Sequence, residues 1–265
     1  MRSALHSLMI AAVTTLLTAA FAFAATDWTD FSGDLLILGE YHDNPAHHAE
    51  QAKATRLIAP KAVVFEMLTP EEAEALADTA RTPDSMLTAT REFHWSNIAD
   101  YSDVLAASPV ILGAALAPTD MRAAFTNGAA SVFGPDADRF GLTTPLPEDE
   151  QALRELNQFD AHCAAMPLDM MSGMVEAQRL RDAAFARAVI NALDTYGSPV
   201  ILITGNGHAR MDWGVPRFLA RARPALAVTS IGQGERQEPP EGVFSWTLNG
   251  APSPDRGDPC AVFRQ

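Results

Sequence analysis

The sequence predicts an α/β fold in which a parallel, or mostly parallel, β-sheet is flanked by helices, with a ligand cleft at the carboxyl ends of the strands. Three observations lead to this prediction. Short runs rich in Val, Ile and Leu recur along the chain. Several of these runs are apolar throughout rather than alternating, which is typical of strands buried on both faces. Helical patterns separate the runs, and polar residues follow several of them directly.

Six runs have the length of strands. They are Asp34–Leu38, Ala62–Phe65, Val110–Leu112, Val200–Thr204, Ala225–Ile231 and Val243–Leu248. The segments with helical patterns are Pro45–Leu57, Pro70–Thr79, Met171–Tyr196 and Pro216–Arg223. We expect the helices within about residues 70–198 to include an insertion that covers part of the sheet edge.

Two stretches lack a sustained period. Asn127–Asp149 collects Gly, Pro, Asp and Thr, which predicts a long ordered loop or a mobile lid. Gln233–Gly242 is polar and is also expected to be a loop.

The N-terminus predicts a signal peptide over residues 1–24. Arg2 supplies a positive charge, Leu8–Phe23 is apolar, and Ala22 and Ala24 form a small-residue cleavage site. The alternative is an uncleaved anchor, but the apolar run is short for a membrane span. No cysteine lies near the cleavage site for lipid attachment. We therefore expect residues 25–265 to form a single α/β domain that is periplasmic or secreted, with no membrane span after cleavage.

Charge and cysteine content limit the classes of partner and of cysteine chemistry to be considered. The formal net charge is −14, which argues against nucleic acid and against anionic lipid as partners. The two cysteines, Cys163 and Cys260, can close a disulfide in an oxidising compartment. A reactive or metal-binding thiol is the alternative, but neither cysteine has a partner nearby in sequence.

The candidate site consists of polar residues that follow three predicted strands. Glu40 and His42 follow the first strand, Glu66 the second and His208 the fourth. Because parallel strands end at one edge of a sheet, these side chains are expected to converge there. Glu40 and His42 lie two residues apart, so an extended turn points them the same way and directs Tyr41 elsewhere.

Imidazoles and carboxylates together suit either of two roles. His42 and His208 can hold a divalent transition metal, and Glu40 or Glu66 can act as catalytic acid or base. Asn44 is a plausible N-cap for a helix that starts at Pro45. His47, in the first turn of that helix, is expected to reach the site.

Other histidines and methionines have simpler interpretations. His48 is expected to be an exposed helix residue, His94 a packing or surface residue, and His162 a part of the disulfide region. Met170 and Met174 fall on one helical face, with Met166 and Met171 nearby, and such clusters are more often core than ligand pocket.

Four blocks of sequence resemble the ChaN-like family. The first is Gly39–His48 and the second is Val64–Met67. The third contains Gln178, Arg181 and Asp182, and the fourth runs from Gly205 to Pro216. The resemblance implies an α/β fold shared with the Tiki and erythromycin-esterase-like superfamily.

The resemblance also implies a function. It suggests a protein of haem and iron uptake that binds haem between the protomers of a homodimer and holds it through a Tyr. The cofactor-binding residues expected on this basis are Glu40, His42, His47, Glu66, Asn206, His208 and Arg210. The alternative is a metal-dependent hydrolase that uses the Glu/His cleft, and a third possibility is a binding module for another small molecule whose cleft is catalytically inert. No H-E-x-x-H or G-x-S-x-G motif is present to support the common zinc-protease or serine-hydrolase mechanisms.

Overall fold

The computed structural model describes residues 27–254, 256–258, 260 and 261. Its centre is one six-stranded sheet in which every strand pairing is parallel. The strand order is β3-β2-β4-β1-β5-β6. The bounds are β1 Leu35–Glu40, β2 Ala62–Phe65, β3 Ile111–Gly113, β4 Val200–Gly205, β5 Val228–Glu235 and β6 Trp246–Gly250. The predicted α/β fold with a parallel sheet is confirmed.

Helices flank both faces of this sheet. Their bounds are α1 Pro45–Ile58, α2 Pro70–Ala75, α3 Pro83–Ala89, α4 Ser102–Ala107, α5 Pro118–Asn127, α6 Ala129–Phe133, α7 Glu148–Ala161, α8 Met171–Tyr196, α9 Asn206–Ala209 and α10 Val215–Ala222. Helix α1 begins as the sequence predicts, because the side chain of Asn44 accepts a hydrogen bond from the backbone N–H of Ala46 at 2.8 Å and Pro45 follows it.

Successive strand residues enter different cores. Leu36 and Leu38 of β1 pack in a core that includes buried residues of α1 and α4, whereas Leu35 and Ile37 pack in a core that includes α8. All four side chains are at most 1% exposed. This explains the uninterrupted apolar strands, since each face of the sheet is covered by helices.

The segment predicted as a loop or lid is partly helical. It contains α6 and a 3₁₀ turn at Pro135–Ala137, between α5 and α7. Helix α6 lies between Gly128 and Gly134, which both have positive φ angles. A helix of five residues is too short to produce a visible 3.6-residue period, so the sequence pattern missed it.

Other bounds differ by a few residues. Helix α2 ends at Ala75 rather than Thr79, and β5 continues to Glu235, into the segment predicted as a loop. Strand β6 begins at Trp246, three residues later than predicted. The extension of β5 is stabilised by its pairing with β6, a long-range contact that local composition does not reveal.

The predicted disulfide between Cys163 and Cys260 is present. It joins the segment after α7 to the C-terminal region, across a sequence separation of 97 residues. The predicted signal peptide, residues 1–24, lies outside the described residues. Within the part of the chain that the structure describes, none of the helices combines the length and the apolar character needed to cross a membrane.

Candidate functional site

The strand order brings three of the predicted polar motifs together. Strands β2, β4 and β1 are neighbours in the sheet, and all three point the same way. Glu66 directly follows β2, Glu40 ends β1, and His208 lies in α9 immediately after β4. Their side chains and that of His42, together with the side chains that bond them, form what we call the polar cleft.

Glu66 lies at the centre of the polar cleft and is 2% exposed. Its Oε2 atom accepts hydrogen bonds from the hydroxyl of Thr204 at 2.5 Å and from the backbone N–H of Gly205 at 2.8 Å. Its Oε1 atom accepts a hydrogen bond from the guanidinium of Arg181. Burial alone would raise the pKa of Glu66, but electrostatic interactions with His208, Arg181 and His42 lower it well below its usual range.

Glu40 is held by a second set of donors. Its Oε1 atom accepts from the hydroxyl of Tyr101 and from Nδ1 of His42 at 2.7 Å. Its Oε2 atom accepts from the amide of Gln51 at 2.5 Å, and Nε2 of His48 lies 3.5 Å away. Burial opposes ionisation here too, but these partners outweigh it, so the pKa of Glu40 is lowered. The carboxylate therefore positions the ring of His42.

His42 lies between the two buried carboxylates and reaches the protein surface. Its side chain is 32% exposed, and its Nε2 atom lies 3.8 Å from Oε1 of Glu66. The absence of a side chain at Gly205 allows this position, because a Cβ there would lie 2.9 Å from Nε2 of His42. Burial would lower the pKa of His42, but the hydrogen bond to Glu40 and the charge of Glu66 raise it to about 9. His42 is therefore a cation at neutral pH.

His208 is oriented from the opposite side. Its Nδ1 atom bonds Oδ1 of Asp182 at 2.7 Å, and its Nε2 atom lies 3.6 Å from Oε1 of Glu66. The amide of Gln178 lies 3.1 Å from the same Nδ1 atom. Gln178 and Asp182 are four residues apart on α8, so both side chains project from one face of that helix.

Two of the predicted cofactor-binding residues, His47 and Asn206, bond the backbone instead. Nδ1 of His47 accepts a hydrogen bond from the N–H of Tyr41 at 3.0 Å, and its Nε2 lies 3.1 Å from the carbonyl of Gly234. The side chain of Asn206 exchanges two hydrogen bonds with the backbone of Gln233 in β5.

Arg210 likewise does not join the polar cleft. Its guanidinium pairs with Asp212 at 2.7 Å and lies over the ring of Trp213 at 3.6 Å from the ring centre. The structure therefore brings together only Glu40, His42, Glu66 and His208 of the predicted set.

Local sequence motifs did not predict several of the residues that the structure places at the polar cleft. Tyr101 comes from a 3₁₀ turn before α4, about sixty residues beyond Glu40, and nothing in its local sequence indicates this contact. Arg181 and Asp182 were noted only as part of the family resemblance. The combination of Gln178, Arg181 and Asp182 on one long helix is the signal that could have placed α8 against the cleft.

The prediction for His48 is wrong. This residue is 3% exposed, and its ring packs against that of Tyr101 with 4.1 Å between the ring centres. Helix α4 and the turn before it cover this side of α1, so the second of two adjacent histidines is buried as well as the first. Tyr41 points out of the polar cleft, as expected, and stacks against His47. His94 is a surface residue that hydrogen-bonds Glu72 at 2.8 Å, in agreement with its simple interpretation.

The polar cleft is a network of buried carboxylates and cations. Within the described ranges, no group of three or more His, Cys, Asp or Glu side chains is arranged to hold a metal ion. Arg181 donates a hydrogen bond to Oε1 of Glu66, the same atom that lies 3.8 Å from Nε2 of His42 and 3.6 Å from Nε2 of His208. His42 and Arg181 are the partly exposed members, with side chains 32% and 29% exposed. Chemically, the cleft can donate hydrogen bonds from two cations to a polar group at its mouth.

A family model now identifies the group to which the chain is related. The model described as haem-binding uptake, Tiki superfamily, ChaN matches residues 32–219. The chain belongs to this ChaN family. The matched region contains β1 to β4, α1 to α9 and the first five residues of α10, and so includes the whole polar cleft.

Comparison with solved structures agrees with the ChaN fold. The structure of ChaN of Campylobacter jejuni with cofacially bound haem is similar, with a TM-score of 0.58 and 15% sequence identity, over 78% of this chain and 83% of that chain. At this identity the likeness shows the fold alone. The type III effector HopBA1 matches over 82% of this chain and 88% of its own, with 10% identity and a TM-score of 0.45, too low to support an argument. Comparison with curated proteins gives no match.

Proposed function

We propose that this protein binds haem and serves haem or iron uptake outside the cytoplasm, with residues 25–265 as one domain. Membership of the ChaN family over residues 32–219 is the observation that carries the proposal. The disulfide and the signal-like N-terminus support an exported location, since disulfides persist in oxidising compartments. The haem supplies the iron and the macrocycle, and the chain supplies an axial ligand and an apolar seat.

The polar cleft is a poor seat for the macrocycle. His42 is protonated at neutral pH, and a protonated imidazole has no free lone pair for iron. His208 is directed at Asp182 and Glu66, and it is 4% exposed. The charged lining also suits an apolar ring poorly.

A groove beside Tyr196 suits haem better. It has a volume of about 360 Å³ and lies along the edge strand β3, between β3 and α8. Leu112, Leu116 and several alanines of α8 line it, with Arg187 at its side. Tyr196 also lines a second groove of about 380 Å³, on the side of Arg81. Phenolate is a known iron ligand, and arginine pairs well with carboxylates such as propionates.

The other two tyrosines are less suitable ligands. Tyr101 is fully buried, and its hydroxyl is committed to Glu40. Burial and the neighbouring carboxylate of Glu235 raise the pKa of Tyr41, and Arg256 lies over its ring. Tyr196 is 42% exposed at an apolar groove, so we propose it as the axial ligand. The groove lies at an open sheet edge, where a second copy of the chain can approach and complete a homodimer around the haem.

Blocking the groove tests this seat. Asn191 is an exposed residue of α8 that lines the groove, and Asn191→Trp should fill part of it. We expect haem affinity, measured by absorption titration, to fall at least about tenfold, which corresponds to ~1.4 kcal/mol. Asp194→Trp is the matched control, because Asp194 is also an exposed residue of α8 and does not line the groove.

The double variant His42→Ala, His208→Ala tests the cleft instead. Haem affinity should be unchanged in this variant if the groove is the seat. Loss of binding in the double variant, with normal binding in Asn191→Trp, would assign the haem to the polar cleft. A flat, non-saturating titration of the unaltered protein would reject haem binding altogether.

The second candidate function is a metal-dependent hydrolase that uses the polar cleft. The observation in its favour is the pair of imidazoles, each oriented by a buried carboxylate, which is an arrangement used in acid–base catalysis. Against it, the lowered pKa of Glu66 makes this carboxylate a weak base. On this hypothesis Glu66→Gln should abolish turnover of any substrate, and metal analysis of the purified protein should find a bound transition metal. Full turnover in Glu66→Gln would remove Glu66 from the mechanism.

A further inference from the structure

Four arginines line a further pocket, separate from the polar cleft and from the two grooves beside Tyr196. Arg154 of α7, Arg179 of α8, and Arg217 and Arg221 of α10 surround a cavity of about 130 Å³ that we call the arginine pocket. The segment around Gly141, between α6 and α7, closes its remaining side. Four cations at one pocket are unexpected in a chain with a net charge of −14.

Two of these arginines are buried and incompletely bonded. Arg154 and Arg179 are each 5% exposed. Among the described residues, the Nε atom of neither arginine has a hydrogen-bond partner. Buried N–H groups are nearly always paired, by protein, water or ligand. Because both Nε atoms are enclosed by the chain, with almost no accessible surface, each guanidinium lacks part of the hydrogen bonding that a buried cation needs.

The pocket has more positive than negative charge. Within the described part of the chain, the ion pairs of these arginines involve two carboxylates, those of Glu150 and Glu176. Glu150 is shared by Arg154 and Arg217, at 2.5 Å from each. Among the described residues, three of the four guanidinium groups form ion pairs with these two carboxylates, and the buried carboxyl of Asp182 also acts electrostatically on Arg154, so the cations outnumber the acidic groups around them.

Two of the arginines also contact the chain segment that forms one wall of the pocket. The guanidinium of Arg179 donates to the carbonyl of Thr144 at 2.9 Å and pairs with Glu176 at 2.5 Å. The side chain of Arg221 passes over Gly141, where a Cβ would lie 2.8 Å from its Cδ atom. The segment once expected to be a loop is therefore held as one wall of the pocket. Phe140 and Leu146 add apolar surface at the same place.

We propose that the arginine pocket binds the phosphate group of a small phosphorylated molecule or free phosphate. Planar guanidinium groups match tetrahedral oxyanions through paired hydrogen bonds. The excess of positive charge suits the dianion of a phosphate monoester better than a single carboxylate. Phe140 and Leu146 provide contacts for an organic part of the ligand.

Calorimetric titration in a phosphate-free buffer tests the proposal on the whole protein. The probes are inorganic phosphate, phenyl phosphate and benzoate. We expect saturable one-to-one binding of a phosphate probe and at least about tenfold weaker binding of benzoate. Tighter binding of phenyl phosphate than of inorganic phosphate identifies a monoester as the ligand, and equal binding identifies the free ion.

Arg221→Gln is the main test variant, because Arg221 is exposed and its loss leaves the buried pairs intact. It should weaken phosphate binding at least about tenfold. Arg223→Gln is the control, since Arg223 follows the same helix, pairs with Asp194 and does not line the pocket. Absence of saturable binding, equal losses in both variants, or benzoate binding as tight as that of phenyl phosphate would overturn the proposal. Circular dichroism of both variants separates loss of binding from loss of fold.

Discussion

Because Glu66 lies at the centre of the polar cleft, we expect one conservative substitution there to lower the stability of the fold. Glu66→Gln keeps the shape of the side chain and removes its charge. The glutamine oxygen can still accept from Thr204 and Gly205, but its NH₂ group then faces the guanidinium of Arg181, donor against donor. The cations that surround this site also lose their buried counter-charge.

The expected loss of stability follows from these contacts. Removing one partner from a buried ion pair costs about 3–5 kcal/mol. Arg181 is 29% exposed and can relax towards water, so we expect the lower end of that range, ~3 kcal/mol. Asp194→Asn is the matched control, because Asp194 is 57% exposed and pairs with Arg223 at 2.5 Å on the surface. That change should cost at most ~0.5 kcal/mol, as exposed pairs do.

Urea unfolding at pH 7, followed by circular dichroism, measures both free energies of unfolding. The double variant Glu66→Gln, Arg181→Met should be less destabilised than the sum of its single variants, because the arginine no longer lacks its partner. A loss below ~1 kcal/mol for Glu66→Gln, equal to that of the surface control, would refute the reasoning.

Three further predictions concern the same cleft and the disulfide. Folding raises the pKa of His42 from 6.5 to about 9, so its contribution to stability is full below pH 6.5 and is lost as the pH rises through 9. His42→Gln should therefore destabilise strongly at pH 6 and little at pH 10 in urea titrations, and an effect independent of pH would contradict this. Gly205→Ala should displace the His42 ring and lower its pKa, as seen by NMR titration, whereas an unchanged pKa would place the ring elsewhere. Cys163→Ser opens the bridge to Cys260 across 97 residues and should lower the free energy of unfolding by roughly 2–4 kcal/mol, with no further loss on adding reductant.

Much of the fold was predictable because each central strand carries its own signal. The runs that form β1, β2 and β4 are apolar on both faces, and the following residues are polar, so both the strands and their carboxyl ends are visible locally. Glycines near Glu40 and His208 mark the turns. The convergence of the four cleft residues then follows from the parallel arrangement alone.

The rest depends on contacts between distant segments. Tyr101 reaches Glu40 because α4 and the turn before it pack against α1, and no local period encodes that contact. His47 and Asn206 have the residue types of ligands, but their polar atoms bond β5, whose place beside β1 is known only from the topology. The groove at Tyr196 arises where edge strand β3 meets α8, so it appears only once strand order is known.

The most direct test of the central claim is a haem titration that compares the unaltered protein with Tyr196→Phe and Tyr41→Phe, read at the Soret band. We predict a saturable spectral shift for the unaltered protein and for Tyr41→Phe. In Tyr196→Phe the affinity should fall at least about tenfold and the spectrum of the remaining complex should change, because the phenolate ligand is lost. An unchanged affinity and spectrum in Tyr196→Phe would contradict the proposed seat, and a non-saturating response in all three proteins would contradict haem binding itself.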